Sequence, residues 1–513
     1  MDASRRTAAT SHARPGPHSP THAGPCSSPP RLSLGTALAG SWPWLLTGLV
    51  LLGALLRCLA ARGDFWLDEI WSLANVLGLD SYTAIVTQLR HDNNHILNSA
   101  WMRLLGDQPN WRLYRIPAVL TGTLSVLLMG LVERRTGRRE SLLATLVLAV
   151  SYPFVLYGSE ARGYAPATCL ALAAWLCGQR VVTDAARHRP SWGLAYATTM
   201  ILGPLAHLSF VYAFLALAVW TTWQLAKGEA GPRRGLLRAA ALNVSPSLFL
   251  LWLWWVFVRH LDYGGGPARP LVDVIVEAMT MLLGAPGSWL LALAACLVGM
   301  ALFIWGLTPQ GRGSDEATLL VLAVVVAPLG ILWVTKPTYL FPRYFLVSAP
   351  FVVAGMARAL AWLSRRGHPG KLACGLLLAL FLAGSGLRLA PLLEHGRGHY
   401  LDALRFMADH TPSEIVAVTG DHDFRNGLVL EYYARHLPPA KQLFYVARST
   451  RPPVAVPWLL LHSMNPKLRP QPFLIMECAG NAHRRYALAA EFPFGGTSGW
   501  AWFVYRLMPR EGS

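Results

Sequence analysis

The sequence predicts a mainly α-helical, polytopic membrane protein that ends in a small α/β domain. Three observations carry this. Hydrophobic residues make up 53% of the 513-residue chain and charged residues only 14%, a balance suited to lipid rather than to a soluble multidomain protein. Runs such as "WPWLLTGLVLLGALLRCLA" (42–60), "AALNVSPSLFLLWLWWVFV" (240–258) and "ATLLVLAVVVAPLGILWV" (317–334) each approach the roughly 20 apolar residues that cross ~30 Å of hydrocarbon. Past residue 392 the runs shorten and turn residues separate strand-like and helix-like segments.

Residues 1–40 are rich in Pro, Ser, Ala and His and poor in large apolar side chains, so they read as a disordered cytoplasmic tail. The span that follows is of full length and lacks a small-residue cleavage site, so it reads as an anchor. From there spans are expected near 42–60, 117–133, 141–157, 164–178, 192–207, 209–225, 239–258, 289–307, 317–335, 343–362 and 371–391, about eleven in all. The pair at 192–225 is separated only by "AHLSF" and is split because one long helix would strand the flanking cationic loops on opposite sides.

The formal charge of +18 follows the same alternation. "RRTGRR" (134–139), "QRVVTDAARHRP" (179–190), "KGEAGPRRGLLR" (227–238) and "SRRGHPGK" (364–371) fall in every second loop, as cytoplasmic loops do. They are not gathered on a face with interleaved aromatics, which argues against a nucleic-acid partner. Cys58, Cys169, Cys177, Cys296 and Cys374 lie in or beside apolar runs and no CxxC pair occurs, so neither a disulfide framework nor a zinc site is indicated.

Sorted by side, the extracytoplasmic loops hold the unusual polar chemistry. The longest loop in the membrane region, 61–116, contains "FWLDEIW" with Asp68 and Glu69, then "LRHDNNHILNS" (89–99) with Asn94 and His95. The next outside turn is "YGSEARGYAP" (157–166), with Glu160, Arg162 and Tyr164; "TKPTYLFPRYFLVSAP" (335–350) sets Lys336, Arg343 and Tyr344 at the mouth of a span. Consecutive helical positions are about 100° apart, so Asp68 and Glu69 cannot both face one atom. In the tail, "EIVAVTGDHDFRNGLVLEYYARH" reads as strand, loop and helix, with Asp421, His422 and Asp423 as a strand-end turn, and "PFLIMECAG" and "GWAWFVYRLM" read as strands.

Taken together, the acidic pair after one span, the His/Asn segment, the "SEARGY" turn and the late "PRY" resemble the GT-C superfamily of polyprenyl-phosphate-sugar glycosyltransferases. More narrowly they look like its bacterial branch related to protein O-mannosyltransferases, the lipid A aminoarabinose transferase and the galacturonosyltransferases. The resemblance covers residues 40–390 and departs at "NNHILNS", where many relatives place His followed by prolines.

This resemblance implies an extracytoplasmic active site on a bacterial inner membrane, with 41–391 as the transmembrane domain and 392–513 as an external α/β domain. The expected reaction moves a monosaccharide from a polyprenyl-phosphate carrier to an acceptor, with inversion; the acceptor classes are protein, lipid A or polysaccharide. Asp68 and Glu69 jointly supply the catalytic group, one taking the acceptor's proton. Arg162, Arg343 and Lys336 hold the donor phosphate, and Glu160 holds Arg162. Asn94, His95, Tyr164 and Tyr344 support these or bind the acceptor. No ligand cluster accompanies the acidic pair, so no metal is assigned; a divalent cation is the one cofactor left open. The rival reading is a transporter or flippase of a lipid-linked sugar, but transporters place ionisable residues near the midplane and these spans carry almost none.

Overall fold

The computed structural model describes residues 34–183, 190–228, 231–266, 268–308, 316–448, 456–478 and 482–509. The tail expected to be disordered lies outside the described residues as far as residue 33; from Leu34 the chain is helical, Leu34–Ala60. Helices then occupy every region where a span is expected: Ile116–Glu133, Arg138–Val150, Tyr164–Val182, Pro190–Ala206, Val211–Gly228, Pro232–Val256, Trp289–Gly306, the stretch from Ala317 to Thr335, Ala349–Leu363 and Gly367–His395. Among the described residues 8 helices are long and apolar enough to cross a membrane, and Ala349–Leu363 is apolar but shorter. The chain is a multi-pass membrane protein, with fewer helices of spanning length than the eleven expected.

One shortfall has a clear cause. The region 141–157 is two helices, Arg138–Val150 and Tyr152–Tyr157, because Pro153 has no N–H for the carbonyl of Ala149. Buried Arg57 of the first helix fills in, donating from Nη1 to Ala149 O (3.3 Å) and from Nη2 to Leu148 O (3.1 Å). A helix not expected from the sequence, Leu271–Leu283, follows the glycine run at 264–266 and buries Val274, Thr280, Met281 and Leu282. It is docked at the break by Ser151 Oγ, which donates to Leu282 O (2.8 Å).

The C-terminal region forms a six-stranded sheet preceded by a helix, Tyr400–Asp409. Its strands are β1 (Ile415–Gly420), β2 (Gln442–Tyr445), β3 (Trp458–Ser463), β4 (Phe473–Cys478), β5 (Ala482–Phe492) and β6 (Ala501–Leu507), in the order β2-β1-β3-β6-β5-β4. β1 runs parallel to β2 and β3, with helix Asp423–Ala434 as the crossover to β2; the other pairs are antiparallel. The alternation in "IVAVTG" buries Val416 and Val418 against Leu404, Leu430 and Trp502.

That core does not stop at the domain. Phe65, Trp66, Ile70, Leu73 and Val76 of the 61–116 segment belong to the same buried cluster. Since each fully buried large side chain contributes roughly 1.5–3 kcal/mol, loop and tail are stabilised together. Polar contacts follow suit: Tyr433 Oη accepts from Phe65 N (2.6 Å) and donates to Phe65 O (3.0 Å), and Leu401 N donates to Asp64 Oδ2 (2.9 Å).

Candidate active site

The acidic pair opens helix Leu67–Leu77, whose N-cap is Trp66. Glu69 stands at the third helical position, and its Oε2 accepts from Trp66 N (3.3 Å), capping the helix start. Its other partners are stronger. Arg115 grips it with two donors, Nε to Oε1 (2.8 Å) and Nη2 to Oε2 (2.5 Å), and Ala161 N donates to Oε1 (2.7 Å). Arg115 in turn donates to Ala61 O, Gly63 O and Asp64 O. Glu69 is thus fully buried and its oxygens are occupied, tying the helix to the "SEARGY" turn.

Asp68, rotated away by the helical step, keeps 15% side-chain exposure. Its Oδ2 lies 2.6 Å from Arg162 Nη1 and 3.4 Å from Arg343 Nη1. Three distant parts of the chain therefore converge on one carboxylate oxygen. Arg162 is aimed by Asn93, whose Oδ1 accepts from Nη2 (2.6 Å), and its guanidinium lies 5.1 Å from the centre of the Tyr164 ring. Asn93 is anchored in return, donating from Nδ2 to Asp68 O and Ser72 Oγ, each at 2.9 Å. Arg343 lies over the Phe341 ring at 4.5 Å.

His95 is buried at the start of helix Ile96–Leu105 and stacks on His207 at 4.7 Å, with Tyr164 at 5.6 Å. Burial first, then the nearby His207, Arg162 and Arg343, hold its imidazole well below its ordinary pKa, so it is neutral at pH 7. Tyr344 faces the same group, its ring 6.5 Å from His207. Three buried nitrogens here, Arg162 Nε, Arg343 Nε and His95 Nε2, have no hydrogen-bond partner among the described residues.

Other expected residues lie elsewhere. Glu160 does not hold Arg162: its Oε1 pairs with Arg397 Nε (3.1 Å), and only the Glu160 carbonyl meets Arg162, through Arg162 N. Asn94 faces its own loop, donating to Ile85 O and Leu89 O and accepting from Ser99 Oγ, so it is taken up by local structure. Lys336 ends helix Ala327–Thr335 in the left-handed region, φ 43°, and its side chain points to the exterior instead of joining the two arginines. In the tail, Asp421 binds His462 Nδ1 (2.9 Å), and no group of three metal-ligating side chains occurs among the described residues.

Sequence reasoning passed over Asn93, Arg115, His207 and Arg397. Asn93 adjoins Asn94 and nothing in "DNNH" ranks the two. Arg115 lies at the end of the 61–116 segment, and its partner is set only by folding. Arg397 is fully buried and bridges Ala60 O, Leu156 O, Ser159 Oγ and Glu160, joining the tail to the turn that carries Arg162.

No family model and no curated protein matches the chain. Solved structures do. The oligosaccharyltransferase of Archaeoglobus fulgidus, crystallised with zinc and sulfate, superposes with a TM-score of 0.50 at 13% identity, covering 81% of this chain and 67% of that one. ArnT from Cupriavidus metallidurans in the apo state superposes with a TM-score of 0.50 at 14% identity, covering 82% of this chain and 93% of that one. At such identities the likeness is one of fold. This multi-pass membrane chain therefore shares the overall fold of those two structures.

Proposed function

We propose that the protein is an inverting glycosyltransferase that moves a monosaccharide from a polyprenyl-phosphate carrier to an acceptor hydroxyl at the extracytoplasmic face of a bacterial inner membrane. The observation that carries this reading is the placement of Asp68 Oδ2 between Arg162 and Arg343. Two guanidinium groups flanking one anionic oxygen match a phosphate as well as they match a carboxylate. A donor phosphate that takes over Arg162 and Arg343 releases Asp68 to accept a proton, so donor binding itself readies the base.

In the reaction, the acceptor oxygen bonds to the anomeric carbon as the bond from that carbon to the phosphate oxygen breaks. The electron pair leaves with the phosphate and the acceptor's proton passes to Asp68. Attack from the face opposite the leaving group inverts the centre. Arg162 and Arg343 stabilise the charge gathering on the departing phosphate. Neutral His95 offers a further nitrogen without adding charge. Glu69 positions: with its oxygens engaged by Arg115 and Ala161 N, it holds the helix that presents Asp68.

The ion pairs at the far end speak against the transporter reading. Arg358 with Glu133 and Glu316 forms a buried network at the opposite end of helix Ile116–Glu133, whose N-terminal end adjoins the site. The helix's 18 residues span about 27 Å at ~1.5 Å per residue. The charges thus cluster at two ends with neither at the midplane.

The test is release of polyprenyl phosphate by purified protein in membranes given a panel of polyprenyl-phosphate sugars, with Asp68→Asn alongside. Wild type should release the carrier and form a glycosidic bond of inverted configuration. Equal turnover by Asp68→Asn, or movement of an intact sugar lipid with no bond broken, would overturn the proposal.

A further inference from the structure

One turn beyond Asp68, on the same face of its helix, stands Trp71. Its ring meets His91 at 4.0 Å and, edge-on at 74°, Phe424 at 5.1 Å. Phe424 comes from the first turn of helix Asp423–Ala434 in the tail, and despite this contact it remains 48% exposed. A large ring is left open beside the site where burial would have been favourable.

The next side chain is Arg425. Its Nη1 donates to His462 Nε2 at 2.8 Å and contacts Met464 Sδ at 3.7 Å. His462 Nδ1 lies 2.9 Å from each oxygen of Asp421, which also accepts from His462 N and Asn426 Nδ2. This fixes the tautomer: Nδ1 carries the proton toward Asp421 and Nε2 accepts from Arg425. The chain Asp421–His462–Arg425 therefore locks a planar guanidinium whose Nε and Nη2 have no partner among the described residues.

Phe424 and Arg425 are consecutive in the first turn of one helix, so an open aromatic ring and a held guanidinium with unengaged donors project from the same turn, and together they complement a sugar ring. A pyranose presents one face of C–H groups to an aromatic ring and a rim of hydroxyls to planar polar groups. A peptide strand would look instead for a row of unpaired backbone groups.

We propose that Trp71 and Phe424, with Arg425, His462 and Asp421, form a binding subsite for a saccharide, which serves as the acceptor of the transfer. The word acceptor rests on the function proposed above; the binding itself does not. The subsite joins the tail domain to the reactive carboxylate: Trp71 shares the helix face of Asp68, and Phe424 reaches it from the sheet domain.

The experiment is retention of the full-length protein, in detergent micelles, on an array of immobilised glycans. Wild type should be retained by a defined set of glycans. Phe424→Ala and Arg425→Ala should each weaken retention at least about tenfold, equivalent to about 1.4 kcal/mol. Phe424→Tyr, which keeps the ring face, should be retained like wild type. A wild type held by no glycan, a Phe424→Ala protein held as well as wild type, or equal loss in Phe424→Ala and Phe424→Tyr would each overturn the subsite. Failure of the sugar-transfer reading shows separately, as absent carrier release by a protein that still binds glycans.

Discussion

Asp68 Oδ2 lies 2.6 Å from Arg162 Nη1, while its neighbour Glu69 gives both oxygens to Arg115. One helical step thus separates a carboxylate that can exchange partners from one that cannot. Asp68→Asn should lower turnover by roughly 10²–10⁴-fold, the range for loss of a general base, with the unfolding temperature little changed. Glu69→Gln should instead lower stability, because removing one partner of a buried ion pair costs about 3–5 kcal/mol. Carrier release and thermal unfolding in micelles, measured on both variants, separate the two roles.

Asn93 touches no expected ligand but aims Arg162 through a 2.6 Å hydrogen bond. Asn93→Ala should raise the KM for the donor by roughly 10- to 100-fold, in line with the roughly 1.5–3 kcal/mol of a hydrogen bond to a charged group. Asn93→Asp keeps an acceptor for the guanidinium but loses the donor to Asp68 O and Ser72 Oγ, so it should recover only part of it. Donor titrations of initial rate check both.

Acid should destabilise the protein through His95. Its folded pKa lies well below the ordinary value near 6.5, owing first to burial and then to His207, Arg162 and Arg343. Below about pH 6.5 the unfolded chain therefore binds a proton that the folded chain refuses, and stability falls with pH until the folded pKa is reached. His95→Gln removes this proton uptake and should flatten the decline. Unfolding midpoints compared between pH 8 and pH 5, for wild type and variant, give the answer.

Arg397 and Glu160 are both fully buried, and their pair joins the tail to the turn bearing Arg162. Arg397→Ala should destabilise by about 3–5 kcal/mol. Tyr433→Phe, which strips the hydroxyl bridging Phe65 N and O, should cost about 1–3 kcal/mol. Both losses should appear in one cooperative transition, since loop and tail share a core; two separate transitions would count against that.

How far the sequence could be read depended on the kind of information each feature required. The long helices were legible because hydropathy is local, and so was the strand, loop and helix at 415–434. The meeting of Asp68, Arg162 and Arg343 was legible because charge alternation puts all three on one side. Partner choice was not. Glu69 and Asp68 look alike in "LDEI", and only the folded position of Arg115 tells them apart. Glu160 sits two residues from Arg162, yet its partner comes from residue 397. Helix Leu271–Leu283 escaped notice because 13 residues with Asp273 and Glu277 are too short and too charged to register as a span. Lys336 was misplaced because its left-handed backbone, φ 43°, turns the chain at the helix end.

The cluster that holds Phe65, Trp66 and Ile70 together with Trp458, Trp502 and Tyr433 ignores the boundary drawn at residue 392. Any graft of this tail onto another protein of the same architecture must carry the segment around residues 61–77 with it. Cutting at the last long helix would split a shared interior and leave the reactive aspartate's helix without its backing. For engineering, the exchangeable module is loop plus tail, two pieces of chain more than 300 residues apart that are held by one interior.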